Sequence, residues 1–196
     1  MLHSSQVPAA QSALLVIDAQ DSFKAGERWI QRSNPDFERN TAELIRIYRA
    51  AGLPVIFFLH ADEDEHFSIG SPYLKLMDFI DRREDEPLIV KTTRNCFTST
   101  DLAPLLMERG VRRLAISGIQ TEQCCETTTR VAVDLGYAVD FVTEATLTFP
   151  IPNWDKPGET LGVEAIVERT EYALRRRFAR IATVAELARE LANKAA

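Results

Sequence analysis

Apolar strand-like runs alternate with helical patterns about six times along this chain. The runs at residues 13–18, 53–60, 87–91, 112–118 and 137–145 are short and nearly continuous, which is typical of strands buried on both faces. A last short run precedes the helical pattern that begins at Thr183. This alternation predicts a three-layer α/β/α fold, in which a mostly parallel, six-stranded, Rossmann-like sheet carries helices on both faces. A chain of 196 residues fits one domain, residues 1–196.

Capping and turn residues predict where the helices begin and end. Asn34 is expected to cap a helix with Pro35 in its first turn, and Gly52 is expected to stop it. A short helix is expected around residues 72–80, and a long helix is expected to run to about Phe178. Thr183 is expected to cap the last helix.

The net charge and the cysteine content limit which partners and which cellular compartment are expected for this protein. The net charge of −6 argues against nucleic acid or an anionic membrane as a partner. No apolar run approaches the roughly 18 residues of a membrane span, and the first residues do not resemble a signal peptide. The three cysteines, an odd number, do not make a disulfide framework, so a cytoplasmic location is expected.

Three chemically active residues come at or soon after the ends of predicted strands, where ligands bind in open α/β sheets. Asp18 ends the first strand, Lys91 ends the third, and Cys124 follows the fourth by six residues. An acid, an amine and a thiol suit acyl transfer through a thioester, because the acid can move the thiol proton and the amine can stabilise charge. The residues alone leave another interpretation open, in which Asp18 and Lys91 form a structural ion pair and Cys124 is a small buried residue.

Three motifs resemble the isochorismatase-like cysteine hydrolase family, which includes nicotinamidases and N-carbamoylsarcosine amidases. They are "LLVIDAQDSF", "VKTTRNCFTSTDL" and "GIQTEQCCETTTRVAVDLGY", and the resemblance covers about residues 12–190. It implies that Asp18 is the general base and acid, that Lys91 gives electrostatic support and that Cys124 is the nucleophile. Cys125 stands where the family has a valine, which implies a packing role. The resemblance also implies a homo-oligomer, a dimer or a tetramer.

The resemblance further implies a cis peptide bond between Ile119 and Gln120. The backbone N–H groups of Gln120 and Cys124 would then form an oxyanion hole. If the following helix begins near Glu122, positions 124, 128, 131 and 135 share one face, and that face is expected to pack on the sheet.

The segment "HADEDEH" departs from the metal-binding pattern of nicotinamidases. His60 and Asp62 stand in reversed order, His66 lies near the place of a further ligand, and the remaining histidine is His3. These side chains could bind zinc or iron, but no fourth ligand is evident. We therefore expect no metal and no other cofactor.

Five further residues are candidates for substrate contacts, and each has a structural alternative. Phe23 could equally belong to the core, Arg94 and Asn95 could lie on the surface, and His60 could cap its strand. Trp154 belongs to the loop at 146–158, which could cover the pocket or form a subunit interface. Cys96 is expected to be structural.

The predicted function is hydrolysis of a C–N bond in a small amide-type substrate. Hydrolysis of a vinyl ether, as isochorismatases perform, is an alternative within the family. A thiol redox or sensor protein using Cys124 and Cys125 is a second alternative, and a non-catalytic binding module is a third.

Overall fold

The computed structural model describes residues 7–192, so His3 lies outside the described residues. In chain order the strands of the main sheet are β1 (Ser12–Ile17), β2 (Val55–His60), β3 (Leu88–Lys91), β4 (Arg113–Ile119), β5 (Ala138–Leu147) and β8 (Arg180–Ile181). Two short strands, β6 (Ile151–Pro152) and β7 (Thr160–Leu161), form a separate antiparallel pair. The helices are α1 (Phe37–Ala50), α2 (Leu102–Glu108), α3 (Glu126–Asp134), α4 (Val163–Leu174) and α5 (Val184–Ala192).

The six main strands are parallel and lie in the order β3-β2-β1-β4-β5-β8. Every residue of β1, β2 and β4 is buried, because helices cover both faces of the sheet. One core cluster joins the sheet to α1 and α5, and a second joins it to α2, α3 and the end of α4. The prediction of a three-layer α/β/α fold with a six-stranded parallel sheet is confirmed.

The order of the strands reverses between β1 and β4, so loops from the two halves of the sheet separate there. Gly118 sits at this place with φ +134°, opposite Ile17 in the β1–β4 register. A Cβ atom added to Gly118 would lie 1.9 Å from the Ile17 carbonyl oxygen. The missing side chain therefore lets β1 and β4 meet closely at their carboxyl ends.

α1 begins at Phe37, later than predicted, whereas its predicted end is right. The Asn34 side-chain oxygen accepts from the Asp36 N–H at 3.0 Å, as a capping residue does, and its amide donates to the carbonyls of Glu144 and Thr146, at 2.8 and 3.0 Å. This side chain therefore caps the turn that leads into α1 and also ties it to β5. Gly52, with φ +66°, follows the last turn as expected.

The expected helix at 72–80 is absent, and the segment forms turns packed against the loop after β1. The Met77 N–H donates to the Ala19 carbonyl at 2.9 Å, and Leu76 pairs with Gln20 in an isolated bridge. The backbone groups of this segment are thus satisfied outside a helix.

The last two helices also differ in part from expectation. The long helix α4 ends at Leu174 and does not reach Phe178, because Arg176 adopts a left-handed φ of +64°. Thr183 caps α5 as predicted: its hydroxyl accepts from the Glu186 N–H, and the Glu186 carboxylate accepts from the Thr183 N–H. Within residues 7–192, no helix has the length and apolar character needed to cross a membrane.

Candidate active site

Asp18 follows the last residue of β1 and is fully buried. Its φ of +51° is left-handed, which is uncommon for a residue other than glycine and turns the chain sharply after the strand. One carboxylate oxygen, Oδ2, accepts a hydrogen bond from Lys91 Nζ at 2.8 Å. The other, Oδ1, is buried and has no hydrogen-bond partner among residues 7–192. The carboxylate is therefore held by one oxygen and keeps the second available.

Lys91 ends β3 and directs its ammonium to the centre of the site, with no exposed surface. Besides Asp18, Nζ lies 3.4 Å from Cys124 Sγ, 3.3 Å from His60 Nδ1 and 3.2 Å from the Thr93 carbonyl. Burial lowers the pKa of Lys91, but the charge of Asp18, the nearby thiols and the hydrogen bond to Asp18 together outweigh burial and raise it. The lysine is therefore charged at neutral pH.

Cys124 lies in the turn that follows β4 and is 4 % exposed. Burial raises the pKa of the Cys124 thiol, and the Asp18 carboxylate raises it further, although Lys91 acts in the opposite direction. The resting thiol therefore keeps its proton beside an ion pair. The structure thus brings Asp18, Lys91 and Cys124 together from three separate strand ends.

The backbone before Cys124 has an unusual conformation. The peptide bond between Ile119 and Gln120 is cis, and a π turn covers Thr121–Cys125 before α3 begins. The Gln120 carbonyl accepts from the N–H groups of Gln123 and Cys125, each at 3.2 Å. The assignment of the Gln120 and Cys124 N–H groups to an oxyanion hole stays a prediction.

The prediction that position 135, at the far end of the helix, faces the sheet is wrong. Leu135 is 54 % exposed, whereas Cys125, Thr128, Thr129 and Ala132 are buried. A π turn carries more residues per turn than an α turn, so it rotates every later residue relative to a regular helix that starts at Glu122. Cys125 is fully buried next to Cys124, and burial raises the pKa of its thiol well above the ordinary value.

His60 lies beside Lys91 and has cations at both ring nitrogens. Its Nδ1 meets Lys91, while its Nε2 contacts Arg94 Nη1 and lies 3.3 Å from Asp62 Oδ2. Burial lowers the pKa of His60, and the charge of Lys91 lowers it further. A neutral ring can accept from only one of these cations: from Lys91 at Nδ1 when Nε2 carries the proton and donates to Asp62, or from Arg94 at Nε2 when Nδ1 carries it.

This arrangement does not fit His60 as a metal ligand, because a cation faces each ring nitrogen. His66 packs edge-on against Tyr73, with ring centroids 5.2 Å apart. In the part of the chain that the structure describes, no group of three or more histidine, cysteine or acidic side chains is arranged so that it could hold a metal ion. The absence of a cofactor stays a prediction.

The other candidates for substrate contacts lie in different surroundings. Phe23 is buried and packs on the rings of Phe67 and Phe149. Asn95 uses its side-chain oxygen to accept from the N–H groups of Phe97 and Thr98, so it shapes its own loop. Trp154 is 87 % exposed. Substrate contacts by these residues stay predictions.

Comparison with known proteins places this geometry in a family. Residues 12–189 match the family model described as the isochorismatase domain. The chain belongs to the isochorismatase family. The YddQ protein of Bacillus subtilis, an uncharacterised member, is 30 % identical over 84 % of this chain and 99 % of its own length. Nicotinamidase 3 of Arabidopsis thaliana is 31 % identical over 70 % of this chain and 74 % of its own.

A solved structure shares this fold over most of its length. It is a protein from Chromobacterium violaceum described as a "putative hydrolase of the isochorismatase family", with a TM-score of 0.85 and 27 % identity, covering 94 % of this chain and 95 % of its own. The present protein is therefore a hydrolase of the isochorismatase family.

Sequence reasoning missed two parts of the site of this isochorismatase-family hydrolase. Gln20 is fully buried; its amide donates to the His60 carbonyl at 3.1 Å, and its oxygen accepts from the His60 N–H at 2.7 Å. It thereby fixes the loop after β1 to the end of β2. The position of Gln20, two residues after Asp18, was the signal in the sequence that could have identified it. The second part is the pair Phe67 and Phe149, which form with the predicted candidate Phe23 a group of three rings that we call the aromatic platform.

Proposed function

We propose that this protein is a cysteine hydrolase that cleaves the C–N bond of a small amide-type substrate. The observation that carries the proposal is the position of Lys91 Nζ, 2.8 Å from Asp18 Oδ2 and 3.4 Å from Cys124 Sγ. The unpaired Asp18 Oδ1 adds a proton acceptor in the same buried space. The relationship to an enzyme named a nicotinamidase supports an amide as the substrate class.

In the first step Asp18 takes the proton from Cys124, and the thiolate attacks the substrate carbonyl. In the free enzyme, burial and the charge of Asp18 raise the pKa of the Cys124 thiol, so the thiol stays protonated. Asp18 therefore takes this proton only after the substrate has bound. The Lys91 ammonium stabilises the thiolate as it forms. The Gln120 and Cys124 N–H groups would hold the oxyanion of the tetrahedral intermediate.

In the later steps Asp18 returns the proton to the leaving amine, and a thioester remains on Cys124. Water then attacks the thioester while Asp18 accepts a proton from it, and the acid product leaves. His60 does not transfer a proton in this scheme. With the proton on Nε2, its Nδ1 would accept one of the three ammonium hydrogens and so position Lys91, which lies 3.3 Å away.

The test is a panel of small amides with release of ammonia or amine as the readout. Cys124→Ala should reduce turnover by a factor of about 10⁴ or more while the protein stays folded, since nucleophile removal leaves only binding and oxyanion stabilisation. Cys125→Ala is the matched control, because it removes the neighbouring thiol, which is fully buried. Turnover by Cys124→Ala at the level of Cys125→Ala would refute the proposal.

A vinyl ether substrate in the same panel distinguishes the alternative reaction. Cleavage of that compound by both wild type and Cys124→Ala, without cleavage of any amide, would replace the amide proposal. Loss of amide cleavage in Cys124→Ala alone supports the thioester route.

A further inference from the structure

The Arg28 guanidinium lies over all three rings of the aromatic platform. Its central carbon is 4.9 Å from the ring centroid of Phe23, 4.8 Å from that of Phe149 and 5.9 Å from that of Phe67. The Phe23 and Phe149 rings are stacked with an interplanar angle of 17°, and Phe67 meets Phe23 edge-on at 5.0 Å. Contact with several rings holds a guanidinium in place by its face and leaves its N–H edge free.

The aromatic platform lies at the same edge of the sheet as the catalytic residues. Phe23 follows β1, Phe67 follows β2 and Phe149 follows β5. Because β1 and β4 lie between β2 and β5, the loops of Phe67 and Phe149 flank the loops of Asp18 and Cys124, and Phe23 shares the loop of Asp18. The Phe67 ring also lies 6.3 Å from the His60 ring, which contacts Lys91. Phe67 and His60 therefore connect Arg28 to Lys91 through two successive side-chain contacts.

Within residues 7–192, Arg28 forms no ion pair and donates no hydrogen bond. Burial lowers the pKa of Arg28, and the charge of Asp64 offsets this only in part. Arg94, in contrast, contacts His60 and lies 3.9 Å from Asp62. The side chain of Arg28 is nevertheless exposed enough for a solute to reach it. The charge of Asp64 acts on Arg28 only from a distance, so the guanidinium keeps its N–H groups for another partner. A cation held by aromatic rings and open to solvent, at the edge of the sheet that carries Cys124, suits an anionic group of a substrate.

We propose that Arg28 determines substrate specificity by binding a carboxylate on the molecule whose amide Cys124 attacks. The substrate class is thus an anionic small amide, with the carboxylate separated from the scissile carbonyl by a short linker. This inference rests on the proposed function, since it names the substrate of the same site. The planar guanidinium can donate two parallel hydrogen bonds to a carboxylate, which a neutral analogue of the same length cannot accept in the same way.

The experiment measures binding without turnover, in a Cys124→Ala background, by isothermal titration calorimetry. The probes are succinamate, glutaramate and adipamate, each compared with the neutral diamide of the same length. The parent should bind at least one of the anionic amides more tightly than its diamide. Arg28→Gln should weaken that anionic amide at least tenfold and leave the diamide unchanged.

Arg32→Gln is the matched control. Arg32 also stacks on an aromatic ring, 5.0 Å from the Trp29 centroid, and it donates to the Trp29 carbonyl at 3.1 Å. Its substitution should not change binding of either probe. Arg28→Lys keeps the charge without the planar fork and should weaken the anionic amide by a smaller factor, which provides a second measurement if Arg28→Gln does not fold.

Equal weakening by Arg28→Gln and Arg32→Gln would overturn the inference. So would a parent protein that binds no anionic amide more tightly than its diamide. Hydrolysis by the protein that retains Cys124 is measured separately. Amide cleavage without a preference for anions rejects only the role of Arg28, whereas anion binding through Arg28 without any cleavage rejects only the proposed reaction.

Discussion

Replacing Lys91 by methionine should destabilise the fold because it leaves a buried charge without its partner. Asp18 and Lys91 have no exposed surface, and their 2.8 Å contact is charge-assisted. Removing one partner of such a pair costs about 3–5 kcal/mol of unfolding free energy. With a urea dependence of about 1–3 kcal/mol per molar, the unfolding midpoint should fall by about 1–5 M.

A double-mutant cycle separates this loss from the other contacts of Lys91. Asp18→Asn is the suitable partner variant, because asparagine tolerates the left-handed φ of +51° at this position. Each single variant leaves a buried charge, whereas the double variant leaves none, so the coupling energy should be about 3 kcal/mol in favour of the native pair. Urea unfolding of all four proteins, followed by circular dichroism, measures it. A coupling energy below about 0.5 kcal/mol would refute the reasoning, since independent sites are additive within that limit.

Two further variants test the close approach of β1 and β4 and the state of the buried thiols. Gly118→Ala should cost about 3 kcal/mol or more, because its Cβ would lie 1.9 Å from the Ile17 carbonyl oxygen. Gly136→Ala is the control, since its φ is also positive, at +94°, but nothing lies within 4 Å of its added Cβ; an equal loss of thermal stability in both would contradict the steric account. Burial raises the pKa of Cys96 from 9.0 to about 12, so the native state keeps a proton that the unfolded chain loses as pH rises. The contribution of this thiol to stability is therefore complete below about pH 9 and decreases above it. The unfolding free energy of Cys96→Ala should fall less steeply than that of wild type, by about 1.4 kcal/mol per pH unit between pH 9.5 and 11. Identical slopes in urea titrations would show that Cys96 ionises alike in both states.

The sheet could be predicted from the sequence because its central strands are buried on both faces. In β1, β2 and β4 the continuous apolar run reflects a physical requirement at every position. The segment at 72–80 is also rich in apolar residues, but it does not form a strand buried on both faces. Its backbone bonds to the loop after β1, through contacts such as Met77 to Ala19, which no local pattern specifies. The prediction that Leu135 faces the sheet was wrong for a related reason. The π turn before α3 changes which residues face the sheet, and no periodic pattern in the sequence marks that turn.

The proposed catalytic residues were easier to locate than the residues that surround them. Asp18 and Lys91 each interrupt an apolar strand at its carboxyl end, so a charged residue there indicates a site. Arg28 and the aromatic platform come from loops after three different strands. Only the strand order brings those loops together, and the strand order cannot be read from any one segment. Specificity residues are therefore the part of this site that needs the three-dimensional structure.

Buried charges at the two edges of the sheet show how the fold accommodates such a site. At the amino end, Asp140 accepts from the guanidinium groups of Arg113 and Arg180, at 2.5 and 2.7 Å, and both arginines also bond to Glu190. Each acid there has two cationic partners, which suits a structural role. At the carboxyl end, Asp18 has one cationic partner, and its second oxygen accepts no hydrogen bond of good geometry within residues 7–192. The protonated Cys124 thiol is coupled to this carboxylate, whose charge raises the pKa of the thiol. A proton accepted from Cys124 would satisfy the second oxygen, so the incomplete pairing of Asp18 is the feature that the proposed reaction uses.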